Sequence, residues 1–149
     1  MNHDELLDQF DIQRLIYQYA SSADELDVAG FADCFAPGGR ITSRGYTGDL
    51  LSGNFTQAII DNLKAKYVST MHNVHNHTYV VDGPKATGIT YCVASHIERP
   101  EGQATNLEKF DMYIRYHDQL IKDKGRWFFK ERRFELLFTT QVPVQNISP

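Results

Sequence analysis

The feature that most restricts this chain is a change of period near Lys66. Beyond it come runs rich in β-branched and aromatic residues: "HTYVV" at 77–81, "ATGITYCVASHI" at 86–97, "LEKFDMYIRYHDQLI" at 107–121 and "RWFFKERRFELLFTT" at 126–140. The turns "DGPK" at 82–85 and "KDKG" at 122–125 punctuate them. Strands joined in sequence by tight turns form an antiparallel meander, and such a sheet must bury one face. The residues before Lys66 supply the cover. Ile12, Leu15, Ile16, Tyr19, Ala20 and Ala23 recur at three- and four-residue spacing, the pattern of an amphipathic helix. Asp27 caps a second, short helix that carries Phe31 and Phe35 one turn apart and stops at "APGG", 36–39. Ser52 starts a third, with Phe55, Ile59 and Leu63 on one face. The expected fold class is therefore α+β: a cone-shaped α+β barrel, with a strongly curved antiparallel or mixed sheet and three N-terminal helices closing a pocket. A chain of 149 residues is the size of one domain, so a single domain over residues 1–149 is expected.

A net charge of -4 provides no basic stripe and argues against a nucleic-acid partner. No apolar run approaches the ~18 residues of a membrane span, and "MNHDELLDQF" lacks the basic and apolar regions of a signal peptide. Cys34 and Cys92 are isolated and read as small buried hydrophobes. These features fit a cytoplasmic protein without disulfides.

Several residues break the apolar and polar patterning. Asp24 lies one turn beyond Ala20 and extends the apolar stripe with a carboxylate at a helix C-terminus, where both burial and the helix dipole disfavour its charge. It either turns the chain or has a compensating partner in a site. "STMHNVHNH", 69–77, holds three histidines. Strand alternation sends His72, Val74, Asn76 and Thr78 to one face and Asn73, His75 and His77 to the other. This split leaves too few converging ligands for zinc, and no metal is expected. Cys92, Ala94 and His96 share one face of the next strand, where a histidine after two small residues suits a cavity wall or a hydrogen-bonded core position. Of the adjacent Arg132 and Arg133, one faces inward and demands an anion or a carboxylate, unless both emerge at a sheet edge and pair across strands.

The blocks "IYQYASSADELDVAGFADCFAP", "STMHNVHNHTYVVDGPKATG", "FDMYIRY" and "GRWFFKERR" together resemble the SnoaL-like family of the nuclear transport factor two-like superfamily, over nearly the whole chain. The patterns of bile-acid dehydratase, scytalone dehydratase and lindane dehydrochlorinase in that superfamily are similar at particular positions. The resemblance implies an acid–base pair at Asp24 and His72, with Tyr19 on the first helix and Arg132 on the last strand completing the catalytic set. It further implies substrate contacts from Tyr46, Asn76 and His96.

What the resemblance implies for function is a cofactor-independent lyase, foremost a dehydratase, acting on a small hydrophobic or alicyclic hydroxy compound without metal. A polyketide cyclase or ketosteroid-isomerase-like isomerase is the enzymatic alternative, and a non-catalytic small-molecule-binding or dimerisation module the non-enzymatic one. A homo-oligomer, dimer or trimer, is expected through the outer sheet face, to which alternation assigns His75, His77 and Tyr79.

Overall fold

The apolar stripe of the first segment lies on α1 (His3–Asp24), which buries Ile12, Leu15, Ile16, Tyr19, Ala20 and Ala23. The computed structural model describes residues 3–44, 55–99 and 107–145. After a left-handed Leu26 (φ 57) comes α2 (Val28–Ala32), capped by Asp27, whose side chain accepts from the Gly30 backbone N–H at 3.0 Å. β1 (Phe35–Arg44) and α3 (Phe55–Lys66) follow, then β2 (Tyr67–Asp82), β3 (Lys85–Glu98), β4 (Leu107–Asp123) and β5 (Arg126–Val144). The β4–β5 turn places Lys124 at φ 48 and Gly125 at φ 82, the paired positive angles that suit a tight hairpin. The described strands form one curved, unclosed sheet in the order β1-β5-β4-β3-β2, antiparallel except for the parallel β1–β5 pair. The architecture is α+β, with α1 lying against β2 and β5.

Phe35 is not helical, and this corrects the sequence expectation. It opens β1 in register with Phe129, whose N–H donates to the Cys34 carbonyl at 2.9 Å. Residues 36–39 are accommodated in a register shift between Phe35 and Arg40. Gly38 adopts φ 73, and a Cβ on Gly39 would meet the Ala36 and Phe129 carbonyl oxygens at 2.8 Å. The "APGG" run is thus an irregularity in an edge strand, where proline removes no ladder hydrogen bond that the sheet needs.

A second correction concerns strand phase. Between Val74 and His77 the pairing with β3 shifts, since Val74 pairs with Cys92 and His77 with Thr90. The extra residue on β2 reverses the alternation beyond it. His77 and Tyr79 therefore share the helix-covered face with the fully buried Thr90, instead of facing outward, while Thr78 is exposed. Insertions on β5 at Lys130 and Leu137 act likewise and bring Phe129, Arg132, Phe134 and Leu136 to one face. Each bulge bends its strand, which accounts for the curl of the sheet.

Inside this curl sits an aromatic core. The Tyr19 ring lies 4.7 Å from Phe31, 6.1 Å from Phe35 and 5.9 Å from Phe129, within the range of favourable ring pairs. Trp127 is also buried, its indole N–H donating to Asp8 at 2.8 Å. Cys34 and Cys92 are free and buried.

Candidate functional site

α1 ends against the edge of the sheet. Because β2 is the terminal strand of the described sheet, its outer backbone N–H groups have no strand partner among the described residues, and Asp24 takes up that of His72. Its Oδ2 accepts from the His72 backbone N–H at 2.8 Å, and its Oδ1 bonds both His72 Nδ1 and Thr70 Oγ1 at 2.7 Å. The partner demanded by a carboxylate at the end of an apolar helix face is thus supplied threefold. Burial works against the Asp24 charge, but the His72 and Thr70 bonds outweigh it and hold the carboxyl below the usual aspartate range. An ionised Asp24 can only accept, so His72 Nδ1 is the donor, and in a neutral ring this tautomer leaves the Nε2 lone pair open. The imidazole side chain is 9% exposed.

His96 stands beside this pair. Its ring centroid lies 6.0 Å from that of His72 and 4.4 Å from Tyr67. Its Nδ1 donates to the Phe110 carbonyl at 3.2 Å. Burial, and then the neighbouring His72, lower its pKa, so this ring is neutral and its Nε2 is an acceptor. His96 is thus a hydrogen-bonded core residue that also adjoins His72.

Of the two arginines, Arg132 turns inward and is 1% exposed. Its Nε donates to Asp118 Oδ1 at 3.0 Å and its Nη2 to Asp118 Oδ2 at 3.1 Å. Its guanidinium carbon sits 4.3, 4.0 and 4.2 Å from the ring centroids of Tyr19, Tyr116 and Phe129. Asp118 also accepts from the Tyr79 hydroxyl, which in turn bonds Thr90 Oγ1 at 2.9 Å. The expectation of an arginine that presents its charge to a substrate is corrected: the anion it requires is Asp118. Tyr19 is buried, and burial pushes its pKa up to about 12. Cys92 is buried on the same face of β3 as Ala94, and burial pushes its thiol pKa up to about 12.

Asn76 is exposed at the β2 bulge, which removes it from the face that carries His72. Tyr46 lies outside the described residues. Thr70 and Asp118 escaped the sequence reading. A threonine in a strand and an aspartate in "YHDQL" carry no signal of their own; only the two-residue spacing of Thr70 and His72 hinted that they share a face. Among the described residues no cluster of three or more histidine, cysteine or acidic side chains could hold a metal ion.

A family model described as a SnoaL-like domain matches residues 4–133. The chain belongs to the SnoaL-like family. Solved structures agree with that membership in fold. A putative scytalone dehydratase from Novosphingobium aromaticivorans is 20% identical, with a TM-score of 0.78 over 100% of this chain and 97% of that one. A type 2 hexachlorocyclohexane dehydrochlorinase is 19% identical, with a TM-score of 0.82 over 98% and 96% of the two chains. A protein of unknown function from Mycobacterium tuberculosis is 25% identical, with a TM-score of 0.69 over 89% and 73%. Among curated proteins none matches the sequence. This SnoaL-like chain has no helix, among its described residues, long and apolar enough to cross a membrane.

Proposed function

We propose that this SnoaL-like protein is a cofactor-independent lyase, a dehydratase in which Asp24 and His72 remove a proton from carbon. The observation that carries the reading is the 2.7 Å bond between Asp24 Oδ1 and His72 Nδ1, buttressed by Thr70 and the His72 backbone. His72 Nε2 takes the proton, the C–H electron pair becomes the new C=C bond, and the hydroxyl on the adjacent carbon departs. Asp24 stabilises the imidazolium so formed. Departing hydroxide needs a proton to leave as water. Tyr19, whose high pKa keeps its hydroxyl protonated, is the donor assigned to this step, with the imidazolium as the alternative source. His96 Nε2 accepts from a polar group of the substrate. Arg132, paired with Asp118, holds the Tyr19 ring in place. The putative scytalone dehydratase and the dehydrochlorinase among the structural relatives support an elimination over an isomerisation.

Screening hydroxylated alicyclic and aromatic-precursor compounds for loss of water tests this. Turnover by His72→Ala equal to that of the parent protein would overturn the assignment of the base. Ligands that bind but never turn over would point to the binding module.

The outer sheet face is proposed to join copies of the chain, since it bears the Tyr113–Phe138 stack at 4.3 Å with Phe138 56% exposed. A monomer by light scattering at micromolar concentration would count against a dimer or trimer.

A further inference from the structure

The helix-covered face of the sheet holds the dyad but offers no unpaired cation among the described residues. Its two cationic side chains are both matched: Arg132 by Asp118 at 3.0 and 3.1 Å, and Lys122 by Asp8 on α1 at 2.6 Å. Residues 45–54 and 100–106 contain no lysine, arginine or histidine in their sequence and add none. Beyond His96 the same face turns acidic. Glu98 follows His96 by two residues on β3, and Glu108 precedes Phe110 by two on β4, while His96 and Phe110 are register partners. Side chains two apart share a strand face, so both carboxylates continue the rows that contain His96 and Phe110. Gln141, the β5 partner of Phe110, donates its Nε2 to Glu98 Oε2 at 3.0 Å and to Glu108 Oε2. One amide thus holds two like charges side by side, against their mutual repulsion.

We infer that this site admits uncharged substrates and rejects anionic ones, with Glu98, Gln141 and Glu108 forming the rim that discriminates. The inference takes from the lyase reading only the location of the substrate beside His72. An anion beside His72 would lose hydration without gaining a counter-charge from the described residues, because Arg132 on that face is already paired with Asp118. Two carboxylates roughly 7 Å beyond His96, the span of two strand residues, add to the repulsion. An uncharged compound meets no such barrier, and Val74, Ala94, Phe110 and Met112 give it apolar contact on that face. The substrate class is therefore an uncharged compound lacking carboxylate, phosphate or sulfate.

The test uses two probes of the same shape, cyclohexanecarboxylate and cyclohexanecarboxamide, titrated into the full chain at pH 8 and low salt by calorimetry or NMR. The amide is expected to bind at least tenfold tighter, with the gap narrowing as salt is raised. The surface double variant Glu98→Gln/Glu108→Gln, which should fold normally, is expected to improve carboxylate affinity several-fold and to change the amide less. Equal or tighter binding of the carboxylate, a ratio unaltered in the double variant, or no binding of either probe at millimolar concentration would each overturn the inference. Neither probe carries a hydroxyl to eliminate, so these outcomes are independent of His72→Ala kinetics, which test the lyase reading alone.

Discussion

Thr70 and His72 share a single oxygen of Asp24, each bonding Oδ1 at 2.7 Å. The threonine hydroxyl therefore competes with the imidazole for the negative charge that must stabilise the imidazolium. It also fixes the carboxylate in the plane where the ring meets it. Thr70→Val should raise the Asp24 pKa, because a hydrogen bond to its charged form is lost, and should lower kcat/KM several-fold through the lost positioning of the carboxylate. Thr70→Ser, which keeps the hydroxyl, should restore both. A carboxyl-carbon NMR titration reads the pKa directly, and an unchanged Asp24 titration in Thr70→Val would exclude the positioning role.

The dyad itself makes a sharper claim. If His72 is the base, His72→Ala should lose most of the ~10²–10⁴-fold that a positioned proton acceptor contributes, with ligand affinity little changed. Asp24→Asn should fall by a similar factor, since the amide can still bond the ring but no longer fixes its tautomer or offsets its positive charge. A kcat for Asp24→Asn within twofold of the parent would remove Asp24 from the mechanism.

Arg132 and Asp118 form a buried pair, with side chains 1% and 0% exposed. Removing one partner strands the other charge in the core, and such losses run to about 3–5 kcal/mol. Arg132→Met and Asp118→Asn should each be destabilised on that scale in urea unfolding, whereas Arg132→Met/Asp118→Leu should recover much of the loss. Additive losses in the double variant would mean that the two residues act independently.

The sequence was most informative where a physical signal is periodic or positional. The stripe from Ile12 to Ala23, the Asp27 cap and the turn at Lys124 and Gly125 are all local, and each sits where its residues indicated. The inserted residues of β2 and β5 were not legible. A bulge leaves composition untouched and is fixed by which hydrogen bonds the neighbouring strand can complete, so alternation counted along "HNVHNHTY" stays true to Val74 and fails at Asn76. For the same reason Asp24 could be recognised as needing a partner, but Thr70 could not be named as one. Arg132 shows the converse case. Its burial was a choice between two arginines, and its counter-ion lay on another strand, reached only through the β4–β5 register.

The last prediction concerns stability against pH. His96 has a pKa below its ordinary 6.5, chiefly through burial. Between that value and its depressed folded pKa, the unfolded chain binds a proton that the folded chain does not, so stability must decline as pH falls below about 6.5. Asp8, Asp24 and Asp33 act later. Their carboxyls are also depressed: burial opposes the charge of Asp8 and Asp24 but is outweighed by hydrogen bonds, and the Arg126 bond dominates at Asp33. Their contribution is complete above the ordinary value of 3.8 and disappears as pH falls through the lower folded values. Acidification should therefore lower the melting temperature in two stages, the first carried by His96 alone among these groups. His96→Asn places an amide N–H where Nδ1 stood, so that it can still reach the Phe110 carbonyl, but it cannot titrate. The melting temperature of this variant should be level between pH 6.5 and 5 while the parent declines, with both falling together below pH 4. Parallel curves across the upper range would show that His96 is not the group that titrates there.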